Sequence, residues 1–320
     1  MKLEEIGFYT LSDERANNTN GYSTSLKRCE LILTGLCNFK CPYCRGSRTD
    51  EDLPLSKAFE ILDLWISEGL ENVRFSGGEP TMYKHLPTLV EYCKMNKVKR
   101  IAVSTNGSAS MKYYKKLIDL GVNDFSISLD ACCSTFGDKM AGIEGAWERV
   151  IDNIKKISKL TYVTVGVVFT KETLQELPKT IEFASNLGVA DIRIISSAQD
   201  NINFKEFNKI DKKIINKHPI LRYRINNFKK QRNVRGITRK DSRRCHLVKD
   251  DMAIEGNKHY PCIIHLRETK KPIGSVGKNM RKERLEWFKK HDCHKDPVCK
   301  KNCLDVCVDY NNKAEGKMAP

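Results

Sequence analysis

The 320-residue sequence predicts an α/β fold, a partial (β/α)6 TIM-like barrel followed by a small C-terminal α+β extension. Short apolar, β-branched runs alternate with longer amphipathic segments over the first two hundred residues, as parallel strands with helical crossovers do. Glycines and small polar residues follow most of these runs. The charge balance also changes abruptly after this part of the chain, which indicates where the extension begins.

Six runs have the composition of buried strands, and all but the last precede a segment with apolar residues three to four positions apart. The predicted strands are 29–34, 71–76, 99–104, 123–130, 162–169 and 190–196. The predicted helices are 55–68, 85–96, 111–120, 143–158 and 173–187. Right-handed crossovers curl such a sheet into a full or partial barrel, with its chemistry at the carboxyl ends of the strands. A doubly wound open sheet has the same periodicity and remains an alternative.

The charge distribution divides the chain. Residues 1–200 hold 25 Lys and Arg against 26 Asp and Glu, so residues 201–320 carry a charge of +17, which gives the chain its net charge of +16. Within that part, residues 201–250 carry 16 basic and 4 acidic side chains. We therefore expect an N-terminal extension over 1–26, a core barrel over 27–205 and a basic auxiliary domain over 206–320.

Export and membrane insertion are not expected. No window approaches about 18 uninterrupted apolar residues, and the N-terminus lacks the charged-then-apolar order of a secretory signal. The 13 cysteines are therefore not expected to form a secreted disulfide framework. Ligation of a metal or cluster in a reducing, cytoplasmic setting fits thiols at this density better.

The first cysteine group directly follows the first predicted strand. Cys37, Cys41 and Cys44 form a CxxxCxxC pattern in a loop expected at the barrel mouth. Three thiolates so close in sequence can hold one metal centre and leave a fourth position open, which a reactive centre needs. A structural zinc site completed by a ligand from elsewhere is the alternative.

A GGEP segment at the end of the second predicted strand completes a pattern that resembles the radical S-adenosylmethionine (SAM) superfamily over about residues 27–200. The resemblance implies that Cys37, Cys41 and Cys44 hold three irons of a 4Fe–4S cluster, whose fourth iron is chelated by SAM. It also implies contacts to SAM from further residues, with polar caps of helices as the alternative for the last three. These are Tyr43 near the adenine, Gly77, Gly78, Glu79 and Pro80 at the methionyl ammonium, and Ser104, Asn106 and Ser128 near the carboxylate and ribose.

The same resemblance implies an enzyme with oxidoreductase-type chemistry. In that superfamily a reduced cluster cleaves SAM to a 5′-deoxyadenosyl radical, which takes a hydrogen atom from the substrate. The electron comes from a donor such as flavodoxin or ferredoxin. Asp130, Cys132 and Cys133 follow the fourth predicted strand, where the carboxylate is a candidate anchor or proton acceptor and either thiol a candidate hydrogen-atom donor. Structural loop positions are the alternative for these three.

Six more cysteines lie in the basic part of the chain. Cys245 and Cys262 bracket a predicted hairpin with its turn at 255–258, and a CxxxxxCxxxCxxxC pattern follows a predicted helix near 279–290. The cysteines of that pattern are Cys293, Cys299, Cys303 and Cys307. The arrangement resembles the SPASM and twitch extensions of radical SAM enzymes, although Lys290 stands where the SPASM pattern has a cysteine. It implies at least one auxiliary 4Fe–4S cluster on Cys245, Cys262 and two of the distal four, with a structural zinc site as the alternative.

The basic segment 205–249 predicts a phosphate-bearing partner, which would be a nucleotide, a phosphorylated metabolite or a nucleic acid. The aromatic residues Phe204, Phe207, Tyr223 and Phe228 are interleaved with the charges. The alternative is that these basic residues form a solvent-exposed helical face without a binding role. A radical SAM enzyme that modifies a ribosomally made peptide is a second hypothesis, although only about 27 residues precede the core. A zinc-stabilised nucleic-acid-binding protein without catalysis is a third.

Overall fold

The computed structural model describes residues 26–46 and 49–317. The predicted N-terminal extension lies outside the described residues except for Leu26. All six predicted strands and all five predicted helices form, with bounds within four residues of those expected. The alternation of strand and helix therefore yields the open partial barrel that the sequence predicts.

One sheet runs through the described structure in the order β6-β5-β4-β3-β2-β1-β7-β8-β9. Neighbouring strands from β6 to β7 are parallel, whereas β8 and β9 are antiparallel. The strands are β1 (Arg28–Ile32), β2 (Asn72–Ser76), β3 (Arg100–Thr105), β4 (Asp124–Ser128), β5 (Tyr162–Phe169), β6 (Asp191–Ser196), β7 (Asp251–Glu255), β8 (Lys258–Tyr260) and β9 (Gly274–Ser275).

Helices cover the outer face of the parallel strands and build the C-terminal part. They are α1 (Leu55–Ser67), α2 (Leu86–Met95), α3 (Met111–Leu120), α4 (Ser134–Ala141), α5 (Ala146–Ile157), α6 (Leu177–Asn186), α7 (Lys212–Lys217), α8 (Pro219–Lys229), α9 (Ile263–Thr269), α10 (Met280–Lys290), α11 (Pro297–Asn302) and α12 (Asp305–Ala314). The sequence did not predict α4. Gly142 ends this helix in a left-handed conformation with φ of 70°, and a separate helix begins at Ala146.

The sheet continues into the basic part of the chain. The predicted hairpin forms from β7 and β8, and β7 also pairs in parallel with β1, with Cys29 opposite Met252. The local pattern cannot reveal this pairing because an apolar strand has the same composition in a free hairpin and in a buried sheet. Barrel and extension thus share one sheet, while the division near residue 205 stays a prediction.

Several arginines of the basic C-terminal part are buried in ion pairs and hydrogen bonds. Arg224 on α8 forms a buried ion pair with Asp305 on α12, which also accepts a bond of 2.7 Å from Asn227 Nδ2. The buried guanidinium of Arg284 donates to the carbonyl oxygens of Val248 at 2.7 Å and Asp251 at 2.5 Å. These side chains join the C-terminal helices to each other and to the sheet. In the described part of the chain, every helix is too short or too polar to cross a bilayer.

Candidate active site

The loop after β1 places three cysteines at the carboxyl edge of the sheet. The thiols of Cys37 and Cys41 are half-buried and that of Cys44 is exposed. Burial raises the pKa of Cys37, and it raises the pKa of Cys41 to about 12. The neighbouring Cys44 raises both values further because adjacent thiolates repel each other. A donor set of three mutually repelling thiolates fits a positively charged iron-sulfur centre, which relieves that repulsion.

Gly77 and Gly78 lie where the cysteine loop crosses the end of β2. The amide of Gly78 donates to the Thr34 oxygen at 2.8 Å, and the amide of Glu79 donates to the Leu36 oxygen at 2.7 Å. A Cβ at Gly78 would lie 2.1 Å from the Leu36 oxygen, and a Cβ at Gly77 2.4 Å from the Thr34 oxygen. Only glycine permits this approach of two backbones. The pair therefore fixes the stretch of loop that leads directly into Cys37.

Glu79 ties the end of β2 to the end of β3. Its buried carboxylate accepts hydrogen bonds of 2.6 Å from Thr105 Oγ1 and from the Asn106 amide. It also accepts from the Thr81 amide at 3.1 Å and from the Thr81 hydroxyl at 2.6 Å. Burial raises the pKa of Glu79, while these donors lower it. Both carboxylate oxygens are engaged within the protein, and the contact to the methionyl ammonium stays a prediction.

Asn106 connects the cysteine loop to β3. Its Nδ2 donates to Asn38 Oδ1 at 2.8 Å, and Asn38 Nδ2 donates to Ser108 Oγ at 2.9 Å. A hydrogen bond from the Asn106 side chain also lowers the pKa of Cys37. The other predicted residue of this strand, Ser104, accepts a bond of 2.9 Å from Arg74 Nη1. Pro80 is buried and begins a short 3-10 turn.

Tyr43 and Asp130 face each other across the mouth of the barrel. The Tyr43 hydroxyl donates to one carboxylate oxygen of Asp130, and the Val168 amide donates to the other at 2.8 Å. Burial raises the pKa of Asp130 to about 6. Both side chains line a small pocket together with Cys41 and Ser128, whose side chain is exposed. The structure thus brings Cys41 and Tyr43 together with Ser128 and Asp130, which lie at the end of β4.

Cys132 and Cys133 lie just beyond this pocket. Cys132 is half-buried, and Cys133 is exposed at the residue before α4. Neither cysteine lines the pocket, whose other lining residues include Met140 and Trp147. Their role as hydrogen-atom donors stays a prediction.

Three arginines converge near the cysteine loop: Arg235, which belongs to the basic segment 205–249, and Arg45 and Arg267, which no sequence pattern singled out. Burial lowers the pKa of Arg235 to about 9 and that of Arg45 to about 10, and the charges of the neighbouring arginines, including Arg267, lower both values further. Arg235 Nε donates to the Ser196 oxygen at 2.9 Å, whereas its buried Nη1 has no hydrogen-bond partner among the described residues. Glu268 pairs with Arg45. We call Arg45, Arg235 and Arg267 the arginine group; only the fold brings them together.

The six C-terminal cysteines are neighbours in the fold; Cys293 and Cys299 are buried, and the other four are half-buried. Burial raises the pKa of Cys245, and the thiols of Cys293, Cys262 and Cys307 raise it further. Burial also raises the pKa of Cys303, and the thiols of Cys307, Cys245 and Cys262 raise it further. The fold therefore brings the hairpin pair close to the distal cysteines. Which four of them would hold an auxiliary cluster stays a prediction.

The basic segment is less exposed than its composition indicates. Phe204 and Phe228 are buried at 0% and 2% exposure and pack against Phe169, so neither is available to stack on a base. Arg232 pairs with Asp309 at 2.5 Å. The exposed charges that remain are scattered lysines and arginines on α7, α8 and the following loop.

An open parallel barrel with three cysteines after β1 and a GGEP segment after β2 defines a radical SAM domain. Residues 31–184 match the family model described as Radical SAM superfamily, so the chain contains a radical SAM domain. It is 28% identical over 180 residues to a probable GTP 3′,8-cyclase of Metallosphaera sedula, covering 54% of this chain and 56% of that protein. A probable GTP 3′,8-cyclase of Methanococcus maripaludis is 31% identical over 173 residues, covering 52% and 58%. The matched segment spans little more than half the length of these relatives.

Solved structures share the fold. The anSMEcpe structure with bound AdoMet has a TM-score of 0.59 at 17% identity and covers 91% of this chain and 95% of that one. Streptococcus suis SuiB bound to precursor peptide SuiA has a TM-score of 0.56 at 17% identity, covering 85% and 65%. Both similarities extend past the radical SAM domain into the C-terminal part. At these identities they establish the fold alone.

Proposed function

We propose that this chain is a radical SAM enzyme whose cluster is held by Cys37, Cys41 and Cys44. The observation that carries the proposal is the docking of the cysteine loop, backbone against backbone, on Gly77 and Gly78. When bound, the reduced cluster and SAM supply a 5′-deoxyadenosyl radical that removes a hydrogen atom from the substrate. An electron donor of the flavodoxin or ferredoxin type remains a prediction.

The protein itself positions the reactants. Glu79 and Asn106 hold the cysteine loop against the ends of β2 and β3, which keeps the three thiols on one rim. Tyr43 and Asp130 restrict the pocket beside Cys41, where the adenosyl group is expected. Their mutual hydrogen bond fixes both side chains, so the pocket is formed before SAM enters.

We further propose an anionic, phosphate-bearing substrate of the nucleotide class. The arginine group supports this assignment because its three guanidinium groups lie close together: beyond the effect of burial, Arg45 and Arg267 lower the pKa of Arg235, and Arg267 lowers that of Arg45. Glu268 pairs with Arg45, and the Asp305 carboxylate raises the pKa of Arg235. Guanidinium groups bind phosphate through paired N–H donors, and Arg235 Nη1 has a donor to spare. The names of the curated relatives, which specify GTP, agree with this chemistry.

The auxiliary centre is proposed on Cys245, Cys262, Cys303 and Cys307. In addition to burial, the thiols of Cys307, Cys245 and Cys262 each raise the pKa of Cys303, and Cys262 directly precedes α9, whose far end carries Arg267. A bound cluster here would fix the start of the helix that presents this arginine. The residues fit a 4Fe–4S cluster, which four cysteine thiolates complete.

The test is 5′-deoxyadenosine formation by the anaerobically reconstituted, reduced protein with SAM. We expect cleavage of SAM that GTP or another nucleoside triphosphate stimulates. The variant C41A should abolish it, and C93A, which removes a buried thiol of α2, should retain it. Stimulation by a peptide fraction but not by nucleotides would replace the substrate proposal with peptide modification. An iron-loaded wild type that forms no 5′-deoxyadenosine, while a known radical SAM enzyme does in parallel, would overturn the catalytic proposal.

Cys132 and Cys133 have a separate test. If a thiol returns a hydrogen atom to a product radical, C132A or C133A will still form 5′-deoxyadenosine but will lose product. Unchanged product yield in both variants would remove the hydrogen-atom-donor hypothesis. Asp130 is proposed as the positioning partner of Tyr43, since both of its oxygens accept hydrogen bonds from the protein.

A further inference from the structure

Four side chains beside the auxiliary cysteines converge on a single point. The Nε2 atoms of His265 and His291 each lie 3.5 Å from Cys299 Sγ. Carboxylate oxygens of Asp296 lie 3.8 Å from His265 Nε2 and 3.9 Å from His291 Nε2. All four ligand atoms are within 4.8 Å of one another, and no other group of His, Cys, Asp and Glu in residues 26–46 and 49–317 converges in this way.

The distances from the two imidazoles to the thiol match edges of one coordination tetrahedron. With bonds of about 2.0–2.1 Å to nitrogen or oxygen and about 2.3 Å to sulfur, tetrahedral ligand atoms lie about 3.3–3.6 Å apart. The two Nε2–Sγ separations of 3.5 Å already lie in this range. Asp296 faces His265 with one carboxylate oxygen and His291 with the other, so this carboxylate must move closer for one oxygen to complete the tetrahedron. A four-iron cubane holds its ligands further apart because the cluster is larger than a single ion, so this group suits a mononuclear site.

Neighbouring contacts already orient the four groups. His291 stacks on Trp287 with ring centroids 3.9 Å apart. Asp296 Oδ1 accepts a bond of 2.8 Å from the Cys299 amide, so this carboxylate is fixed beside the thiol. Cys299 and His265 are both buried. The donors come from α9, the loop before α11, and α11 itself, so the site requires the tertiary fold.

We propose that His265, His291, Asp296 and Cys299 bind one Zn²⁺ ion that is distinct from the iron-sulfur clusters. Two imidazoles, one carboxylate and one thiolate are ligands that zinc takes in a closed tetrahedral site. The thiolate and the carboxylate balance the two charges of the ion, so the buried site has no net charge. The assignment removes Cys299 from the auxiliary cluster and agrees with the four cysteines proposed for it above.

The ion would act as a structural clamp. His265 lies two residues before Arg267 on α9, and Cys299 lies on α11. Zinc would hold α9 to α11 and thereby fix the end of α9 that pairs with Arg45 through Glu268. This inference depends on the coordinating residues alone and stands whether or not the chain cleaves SAM.

The experiment measures zinc and iron per chain by mass spectrometry of the full-length protein, expressed with both metals supplied and purified without oxygen. We expect about one zinc per chain in the wild type. H265A and H291A should each lower zinc occupancy at least about tenfold with iron unchanged, and H291C should restore it. The matched control is H294A, which removes a histidine of the same segment whose Nε2 contacts the Asp241 oxygen at 3.1 Å.

Zinc X-ray absorption of the wild type gives a second readout that needs no variant to fold. The expected coordination shell contains one sulfur at about 2.3 Å and three nitrogen or oxygen atoms at about 2.0 Å. Wild-type protein without zinc, or a shell of four sulfurs, would overturn the proposal. So would a loss of iron rather than zinc in H265A and H291A, since these residues would then belong to a second cluster.

Discussion

The Thr105 hydroxyl lies 2.6 Å from Glu79 Oε1 and donates a hydrogen bond to this buried carboxylate. The other carboxylate oxygen accepts from the Asn106 amide, so one side chain joins the GGEP segment to the end of β3. This bond is a structural tie between two strands whose residues the sequence assigns to SAM binding. It also gives a direct test of the site's architecture.

Replacing Glu79 with Gln should loosen this tie. In Gln, an NH2 group replaces one of the two carboxylate oxygens. This NH2 group then faces either the Asn106 amide or the Thr105 hydroxyl, both of which donate to Glu79 in the wild type, so one hydrogen bond is lost. We expect the free energy of unfolding to fall by about 2–3 kcal/mol, because a buried hydrogen-bonding group loses its partner. Urea unfolding monitored by circular dichroism measures the change. T81A, which removes one hydroxyl donor and leaves the other three bonds, should cost about 1 kcal/mol; equal stability of E79Q and wild type would contradict the prediction.

Replacing Gly78 with Ala should displace the cysteine loop. The new Cβ would lie 2.1 Å from the Leu36 oxygen, so the backbone before Cys37 must move. We expect reconstituted protein to lose about four irons per chain, the content of one cluster, with the fold intact. Iron analysis and circular dichroism measure the two quantities. G277A, where an added Cβ meets no atom within 4 Å, is the matched control, and full iron loading of G78A would refute the role of this glycine.

Replacing Asp130 with Asn should change how stability depends on pH. Burial raises the pKa of Asp130 to about 6, so folding favours the protonated carboxyl group. The resulting stabilisation is present below about pH 4 and is lost as the pH rises through 6. The stability of the wild type relative to D130N should therefore fall by about 1–2 kcal/mol between about pH 4.5 and 7.

Denaturant unfolding at several pH values measures this difference. D119N, which alters an exposed carboxylate on α3, serves as the control for a general charge effect. A constant difference between the wild type and D130N across this range would show that Asp130 titrates as an ordinary exposed carboxyl group.

Replacing Arg267 with Ala should weaken binding of a phosphate-bearing substrate. A charge-assisted hydrogen bond contributes about 1.5–3 kcal/mol, so the KM for a stimulating nucleotide should rise tenfold or more. Nucleotide-dependent 5′-deoxyadenosine formation at constant salt measures the effect. K271A removes an exposed charge from the residues directly after α9 and should leave KM within about twofold. If both variants behave alike, general surface charge rather than the arginine group accounts for the nucleotide effect.

The local sequence determined the six parallel strands from 29–34 to 190–196, the five helices predicted between them, and the first cysteine loop. Apolar runs and helical periodicity are properties of neighbouring residues, so the strand from Tyr162 to Phe169 has the same bounds in sequence and structure. The CxxxCxxC and GGEP patterns likewise lie within short segments. These signals sufficed to predict the barrel, the radical SAM resemblance and a hairpin between Cys245 and Cys262.

The tertiary structure decided the relationships between residues far apart in the chain. The pairing of β7 with β1, the convergence of Arg45 with Arg235 and Arg267, and the approach of His265 to Cys299 each join segments separated by tens to hundreds of residues. No local periodicity encodes such contacts, because they depend on how helices pack on a completed sheet. The same packing buried Phe204, which composition alone placed among surface charges. The sequence determined which chemical groups are available, and the fold decided which of them meet.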